Sequence, residues 1–164
     1  MKKMFANAMN EYKGKTVEVV DPFARRCPWG TIRNDINPEF KDQGFTTHCD
    51  DALAILQQLN TSSVAVIILD PPFSGRQSDE EYGTHNLYAN PSYMSQLGKE
   101  CYRVLIDGGK VLKCGFNSNP PARGFELIEL FINNMGASRN DIMMSLWVKT
   151  QMNLHQWIIP QNLD

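Results

Sequence analysis

The sequence predicts an α/β fold in which a doubly wound, mostly parallel sheet ends in an antiparallel hairpin. Three observations predict it. Strand-like apolar runs alternate with helical patterns over most of the 164 residues. The run 64–69 is apolar throughout, as in a strand that is buried on both faces of a parallel sheet. Two strand-like runs joined by a short polar turn then finish the chain.

Length and composition indicate one domain. With 164 residues, of which 42% are hydrophobic and 21% charged, we expect a single domain over residues 1–164. The net charge of −2 gives no overall attraction to nucleic acid, so such binding requires a local patch. The four cysteines form no CxxC pair, which favours reduced thiols in a cytoplasmic protein over a metal site. No apolar run has the length of a membrane span, so we expect no membrane partner.

The first half of the chain predicts two helices and three short strands. Apolar residues at helical spacing indicate a helix over 1–12, and Asp50 or Asp51 is placed to cap a second one that begins at Ala52. β-Branched or apolar runs over 16–20, 32–36 and 45–48 indicate strands. Residues 24–33 lack helical periodicity and contain Pro28 and Gly30, so we expect a loop there.

The second half begins with the strand Val64–Leu69 and a polar segment, 74–90, whose length is typical of a functional lid or a disordered connection. Pro91 begins a helix that runs to about residue 105, and a strand over 110–114 follows the turn at 107–109. Phe125–Asn133 reads as an amphipathic helix that ends near Gly136. Ile142–Lys149 and 155–159 are the two strands of the expected hairpin.

Two of the predicted strands end in an acid followed by proline. The first is followed by Asp21-Pro22-Phe23 and the long apolar one by Asp70-Pro71-Pro72-Phe73. Proline fixes φ and supplies no N–H to a ladder, so each strand must stop there. Ligands of open α/β sheets bind at the carboxyl ends of the strands. The sequence therefore predicts a ligand site that contains both acids.

The tetrad Asp70-Pro71-Pro72-Phe73 after an apolar strand resembles the catalytic motif of amino-group methyltransferases that use S-adenosylmethionine, above all the adenine-N6 DNA methyltransferases. It looks most like the small stand-alone enzymes of phages and mobile elements. Upstream, Asp21-Pro22-Phe23-Ala24 resembles the first cofactor motif, Asn34-Asp35-Ile36-Asn37 the acidic tip of the second strand, and Asp50-Asp51-Ala52 a third acidic motif. The resemblance implies a Rossmann-like, class I methyltransferase-like fold. In a departure from the family pattern, we expect no separate target-recognition domain, because no segment of the sequence is large enough for one.

The resemblance also implies roles for these residues. Asp70 and a backbone carbonyl of the Asp-Pro-Pro run would accept the two N–H groups of the target amine, with Pro71 and Pro72 holding the carbonyls outward. Phe73 would stack on a base that is flipped out or single-stranded. The cofactor S-adenosylmethionine would meet residues at its methionine end, its ribose and its adenine, which are Asp21, Phe23 and Ala24, then Asp35 and Ile36, then Asp50 or Asp51.

The sequence departs from the family pattern after Asp21. Arg25 and Arg26 stand where the family has a glycine-rich turn, and the helix between the first two strands is missing or reduced. The run 29–31, Trp-Gly-Thr, is an alternative cradle for the methionine part. Arg25, Arg26 and Arg76 are candidate phosphate contacts to DNA or single-stranded nucleic acid, although loop arginines are often only solvated. Target specificity would come from the segment 74–90, from a homodimer or from a separate partner.

Two other functions stay open. The motif also resembles that of RNA base-amine methyltransferases acting on guanine N2. The lost glycines are equally compatible with a degenerate methyltransferase that binds nucleic acid or a protein without catalysis. An acid rather than asparagine before the prolines disfavours glutamine methylation.

Overall fold

The computed structural model describes residues 1–72, 90–133 and 142–151. The helices are α1 (Lys2–Met9), α2 (Pro38–Asp42), α3 (Ala52–Gln58) and α4 (Pro91–Val104), and the strands are β1 (Val19–Asp21), β2 (Ile32–Arg33), β3 (Val64–Leu69), β4 (Leu105–Gly115), β5 (Phe125–Asn133) and β6 (Ile142–Lys149). A short 3₁₀ helix, Asn10–Tyr12, extends α1. None of the helices in these described ranges is long and apolar enough to cross a membrane.

The strands form one sheet in the order β2-β1-β3-β4-β6-β5. β1 to β4 are mutually parallel. β6 runs antiparallel to both of its neighbours, β4 and β5. The predicted fold class, a mostly parallel sheet with an antiparallel end, is therefore confirmed.

Two hydrophobic clusters cover the two faces of the sheet. All six residues of β3 are buried. Ile67 lies in one cluster with Leu56 of α3 and Leu97 of α4. Ile68 lies in the other with Ala8 of α1. Adjacent residues of a strand point to opposite faces, so β3 is packed on both sides and the sheet is doubly wound.

Most elements of the first half form near their predicted positions, but 45–48 is not a strand. Only a single bridge joins Asn34 to His48 there. The short helix α2 was not predicted, and it forms because Asn37 caps it by accepting a hydrogen bond from the N–H of Glu39 and Pro38 occupies its first turn. Residues 22–31 contain no helix, as the sequence indicated.

The prediction of a helix over Phe125–Asn133 is wrong, because this segment is strand β5. A bulge explains the error: Leu127 pairs with Trp147 and Glu129 with Leu146, which leaves Ile128 as an extra residue. The extra residue breaks the alternation of apolar and polar positions that marks a strand. The apolar spacing that results imitates the period of a helix.

The predicted partner of β6 is also wrong. β6 has β4 on one edge and β5 on the other, so both of its edges are occupied and β5 takes the place assigned to 155–159. Residues 155–159 and Gly136 lie outside the described residues. The closing antiparallel pair is therefore β5–β6.

Strand β4 is longer than predicted and contains the expected turn. Leu105 already pairs with Val64, and the register then moves to Val66 with Lys110. Residues 106–109 are accommodated within this irregularity, where Gly108 has φ +72°. Such a φ suits glycine because an L side chain would be strained.

The connection 116–124 crosses from the end of β4 back to the level of its start. Phe125 pairs with Lys149, and the neighbouring Val148 pairs with Lys110, so β5 begins level with the first half of β4, on the far side of β6. The connection passes over α4 at Gly98. A Cβ atom added to Gly98 would overlap the backbone carbonyl of Pro121. The glycine at position 98 of α4 thus leaves room for the connection 116–124, which contains no helix, to cross close to α4.

Strand β5 lies at the edge of the sheet and carries large exposed apolar side chains. Between 42% and 52% of the surface of each is exposed, and they are Leu127, Ile128, Leu130, Phe131 and Ile132. Within the described ranges, no strand pairs with the outer edge of β5.

We expect Gly98→Ala to destabilise the protein although alanine is the better helix former. In an exposed helix the change would stabilise by about 1 kcal/mol, whereas here the new methyl must displace the backbone at Pro121, at a cost on the order of 2 kcal/mol. Urea unfolding measures the difference, with Ser95→Ala on the exposed side of α4 as the matched control. A Gly98→Ala protein as stable as the control would show that the crossing is not tight.

Candidate functional site: an acidic cluster at the carboxyl edge of the sheet

Three carboxylates meet at the carboxyl ends of the parallel strands. Asp21 is the last residue of β1, Asp35 follows β2, and Asp70 follows β3. Asp21 and Asp35 are each 1% exposed. The pKa of Asp21 is raised to about 7, mainly by burial and further by the charges of Asp70 and Asp35, whereas hydrogen bonds from Cys27 and the Phe23 backbone lower it. The strands therefore bring together, as the acidic cluster, acids that are far apart in the sequence.

Two thiols hydrogen-bond to the acidic cluster. Cys27 donates to Asp21, and Cys114 donates to Asp70. Burial is the main reason that the pKa of Cys27 rises to about 11, and burial likewise raises the pKa of Cys114. Both thiols are therefore protonated at neutral pH and act as donors. Sequence reasoning missed these roles; the available signals were that Cys27 follows Asp21 closely and that Cys114 lies near the end of the strand next to β3.

Asp70 is the acid that the resemblance makes catalytic. Burial raises its pKa, while the hydrogen bond from Cys114 and the positive charge of Arg25 oppose this. Pro71 and Pro72 follow it and are buried. Phe73, the fourth residue of the motif, lies outside the described residues. The described part of the motif is thus a carboxylate that accepts a hydrogen bond from a thiol, followed by two prolines. The backbone of these prolines has carbonyl acceptors but no N–H donors.

The turn after β1 has glycine geometry without glycine. Arg25 has φ +47°, a left-handed conformation that costs most L residues about 1 kcal/mol. The N–H of Arg25 donates to Oδ2 of Asp35 at 3.2 Å, and the N–H of Ala24 donates to the carbonyl of Asn34 at 2.7 Å. These two hydrogen bonds join the strained turn to the residues that follow β2. The absence of glycines from the sequence therefore does not remove the turn.

Asn34 ties three segments of this edge together. Its buried side-chain amide donates to the carbonyls of Pro22 and Asp50, at 3.2 and 2.8 Å, and accepts from the N–H of Asp50 at 3.0 Å. An aspartate could not make the two donations. Asn34 belongs to the motif at the tip of the second strand, but the residues next to it in the sequence do not indicate that its side chain joins three segments.

The two acids of the third motif differ in their surroundings. Asp51 caps α3, accepting from the N–H groups of Leu53 and Ala54, and it also accepts from the hydroxyl of Tyr93 at 2.8 Å. Burial and the Asp51 carboxylate raise the pKa of Tyr93. Asp50 is exposed, and its carboxylate accepts from the N–H of Asp51 at 2.8 Å. Asp50 is thus the acid whose surface a ligand reaches more readily.

The other residues expected near a cofactor contribute mainly through packing and backbone. The Phe23 side chain lies in the cluster that contains Leu56 of α3, beneath the turn. Ala24 is buried, and Ile36 accepts a hydrogen bond at its carbonyl from the Cys49 thiol at 3.5 Å.

Two of the three candidate arginines are described. Arg25 and Arg26 are exposed at the acidic edge, and the Arg26 guanidinium lies 5.2 Å from the centroid of the Phe45 ring. Arg76 lies outside the described residues.

Trp29 and Trp147 are packing residues. Trp147 is buried in the core. Trp29 stacks on Phe5 of α1, with ring centroids 4.9 Å apart. Gly30, next to Trp29, is buried against Asp21, where an added Cβ would come within 3.2 Å of the Asp21 Cβ. Gly30 therefore packs directly against the side chain of Asp21.

No protein-family model and no curated protein matches the sequence. Solved structures do match the fold. The N-methyltransferase NodS of Bradyrhizobium japonicum WM9, in complex with S-adenosyl-L-homocysteine, aligns with a TM-score of 0.57 and 9% identity over 92% of this chain and 85% of NodS. The yhhF protein of Escherichia coli, a candidate methyltransferase, has a TM-score of 0.57 and 11% identity, with 90% and 84% of the chains covered.

A S-adenosylmethionine-dependent methyltransferase of Archaeoglobus fulgidus aligns with a TM-score of 0.51 and 12% identity, covering 91% of this chain and 95% of its own. At these identities the likeness concerns the fold. This chain has the mixed α/β fold that these class I methyltransferase structures share.

We expect Asp21→Asn to gain stability relative to the natural protein as the pH rises. The pKa of Asp21 is about 7 in the folded state against an ordinary value of 3.8, so stability falls as the pH rises between these values, while asparagine does not titrate. The difference in the free energy of unfolding should shift in favour of Asp21→Asn by about 3 kcal/mol between pH 4.5 and 8. Urea titrations measure it, with the exposed Asp42→Asn as control; parallel pH profiles would contradict the raised pKa.

We also expect Arg25→Gly to be more stable than Arg25→Ala by about 1 kcal/mol, because only glycine adopts φ +47° without strain. Both variants lose the same guanidinium, so their difference isolates the backbone. Thermal unfolding compares them. Equal midpoints would show that the turn is not left-handed in solution.

Proposed function

We propose that this protein is a S-adenosylmethionine-dependent DNA methyltransferase that transfers a methyl group to the N6 amine of adenine. The observation that carries the proposal is Asp70, supported by a thiol at the carboxyl end of the central strand β3 in a methyltransferase fold. The residues Asp70-Pro71-Pro72-Phe73 that resemble the catalytic motif supply the link to base amines.

The described residues suit the demands of the reaction. The lone pair of the adenine amine is delocalised into the ring and becomes available only when the two N–H groups are held by acceptors. The Asp70 carboxylate can accept one, and a carbonyl of the Asp-Pro-Pro backbone can accept the other. Both acceptors are fixed before the base arrives, so they stabilise the positive charge that develops on nitrogen without reorganising.

The acidic cluster fits the proposed cofactor by charge. S-adenosylmethionine supplies an electrophilic methyl group on a cationic sulfonium. Asp21 and Asp70 are buried close enough to raise the pKa of Asp21, so a cation beside them would relieve their repulsion. The left-handed turn at Arg25 allows close backbone approach, and the exposed carboxylate of Asp50 is available for the adenine end.

The nucleic-acid side of the proposal rests on Arg25 and Arg26, which are exposed at the same edge and can contact phosphates. Because an amine is inaccessible inside a duplex, the target base must be flipped out or presented on a single strand. A second copy of the chain or a specificity partner can supply further contacts.

Transfer of labelled methyl from S-adenosylmethionine tests the proposal. Double-stranded DNA, single-stranded DNA and RNA are incubated with the full chain and analysed as nucleosides. We expect N6-methyladenine from DNA, with the initial rate reduced at least ~100-fold by Asp70→Ala because one acceptor of the amine is removed. Asp42→Ala, which removes an exposed acid of α2, should leave the rate unchanged.

Other results would assign another function. Methylguanine in RNA would indicate the base-amine RNA methyltransferase. No transfer to any substrate, together with a melting temperature raised by nucleic acid and not by S-adenosylmethionine, would indicate a binding module. Equal product from Asp70→Ala and the natural protein would remove Asp70 from catalysis.

A further inference from the structure

A cavity of about 450 Å³ lies on the α4 side of the Asp-Pro-Pro segment. It opens between the end of β3, the first half of α4, the end of β4 and the connection 116–124. The described residues that line it and enter the argument are Leu69, Pro71, Pro72, Lys113, Asn117 and Pro120. Its size is within the range of small-molecule sites.

The cavity adjoins the acidic cluster, because Cys114, whose thiol interacts with Asp70, also lines it, but the carboxylates of the cluster do not. Leu69, Pro71 and Pro72 line it, whereas the Asp70 carboxylate interacts with the Cys114 thiol and the charge of Arg25. Alternate residues of an extended chain point in opposite directions, which accounts for Leu69 and Pro71 facing away from the Asp70 carboxylate. A ring in the cavity would therefore lie across the motif from the carboxylate that receives the reacting amine.

Lys113 supplies the only charge among the described residues that line the cavity. Its Nζ donates to Oδ1 of Asn117 at 2.9 Å and to the carbonyl of Asn119 at 2.7 Å. An ammonium group has three N–H donors, so one remains for a ligand within the described surroundings. Burial lowers the pKa of Lys113, which makes a hydrogen-bond acceptor in the cavity a favourable partner.

Flat apolar walls accompany this donor. Pro71 and Pro72 stand on one side, and Pro120 and Pro121 come from the connection. Such walls suit the faces of a planar ring, as in pockets that hold bases between apolar side chains. The side-chain amide of Asn117 adds N–H donors near Lys113, since its Oδ1 already accepts from Lys113 and from the N–H of Asn119. The site thus combines a slot for a ring with adjacent donors.

We propose that this cavity binds a base of the substrate strand other than the one that is methylated, with Lys113 and Asn117 donating to the acceptors on its edge. Guanine fits best, because its O6 and N7 are adjacent acceptors and lysine is a common partner of both. The inference rests on the proposed function for the presence of a nucleic-acid strand at this edge. It would give the described fold a means of choosing its target.

Binding of free nucleosides tests the inference without cofactor or catalysis. Guanosine, adenosine and inorganic phosphate are titrated into the ¹⁵N-labelled full chain, and the amide signals of Gly98 and Gly115, which line the cavity, are followed. We expect guanosine to shift both signals, adenosine to shift them at least tenfold more weakly, and phosphate to leave them in place.

Two variants locate the contacts. Lys113→Met keeps the length of the side chain and removes its donors, so guanosine affinity should fall at least tenfold. Asn117→Asp, in an exposed loop, keeps the acceptor for Lys113 but removes the amide donors and adds repulsion, so affinity should fall although the fold is unaffected. The exposed Lys41→Met is the matched control.

The inference is overturned if phosphate shifts the same signals in a Lys113-dependent way, which would make this an anion site. It is equally overturned if no nucleoside shifts them at millimolar concentration, or if Asn117→Asp binds guanosine as the natural protein does. Methyl transfer by a protein that binds no guanosine would refute the cavity assignment alone. Guanosine binding without methyl transfer would refute the proposed function alone.

Discussion

The site depends on the burial of like charges at one edge of a parallel sheet. Parallel strands end on the same side, so β1, β2 and β3 deliver Asp21, Asp35 and Asp70 to one place. Taking carboxylates out of water is costly, and the elevated pKa of Asp21 records that cost. The surroundings offset it with neutral donors: the thiols of Cys27 and Cys114 and the backbone N–H groups of Phe23 and Arg25. These donors offset the cost only in part, so a cation at this edge would stabilise the carboxylate of Asp21 further.

The same site shows how a conformation persists without its usual residue. Arg25 takes the left-handed turn that the family assigns to glycine, and Asp35 and Asn34 accept the N–H groups of that turn. On the opposite side, Gly98 does what a larger residue could not, since it lets the connection 116–124 lie directly on α4. A helical connection would occupy more volume at this place. The extended connection brings Asn117 and Asn119 to Lys113 and leaves the cavity open beside Pro72.

The sequence predicted what is encoded locally. The unbroken apolar run of β3, the acids and prolines after β1 and β3, and the cap of α3 each depend on a few neighbouring residues, and all were read correctly. Strand β5 was misread because the bulge at Ile128 disturbs its period, and a bulge depends on the pairing with β6. The thiol donors, the Asn34 bridge and the Lys113 cavity join segments that are distant in the chain. Apart from the closeness of Cys27 to Asp21 and the place of Cys114 near the end of its strand, patterns along the sequence carry no signal for such contacts.

The exposed edge of strand β5 affects the tendency of the protein to associate in solution. An apolar edge strand with unpaired backbone groups tends to recruit other strands. The bulge and the acids Glu126 and Glu129 oppose this in the first part of β5, whereas Leu130, Phe131 and Ile132 follow one another without a charge. The two carboxylates near the start of this nine-residue strand are therefore the charges within it that oppose association through its edge. High salt screens these charges, so ionic strength and protein concentration need to be controlled in any titration at the opposite edge of the sheet.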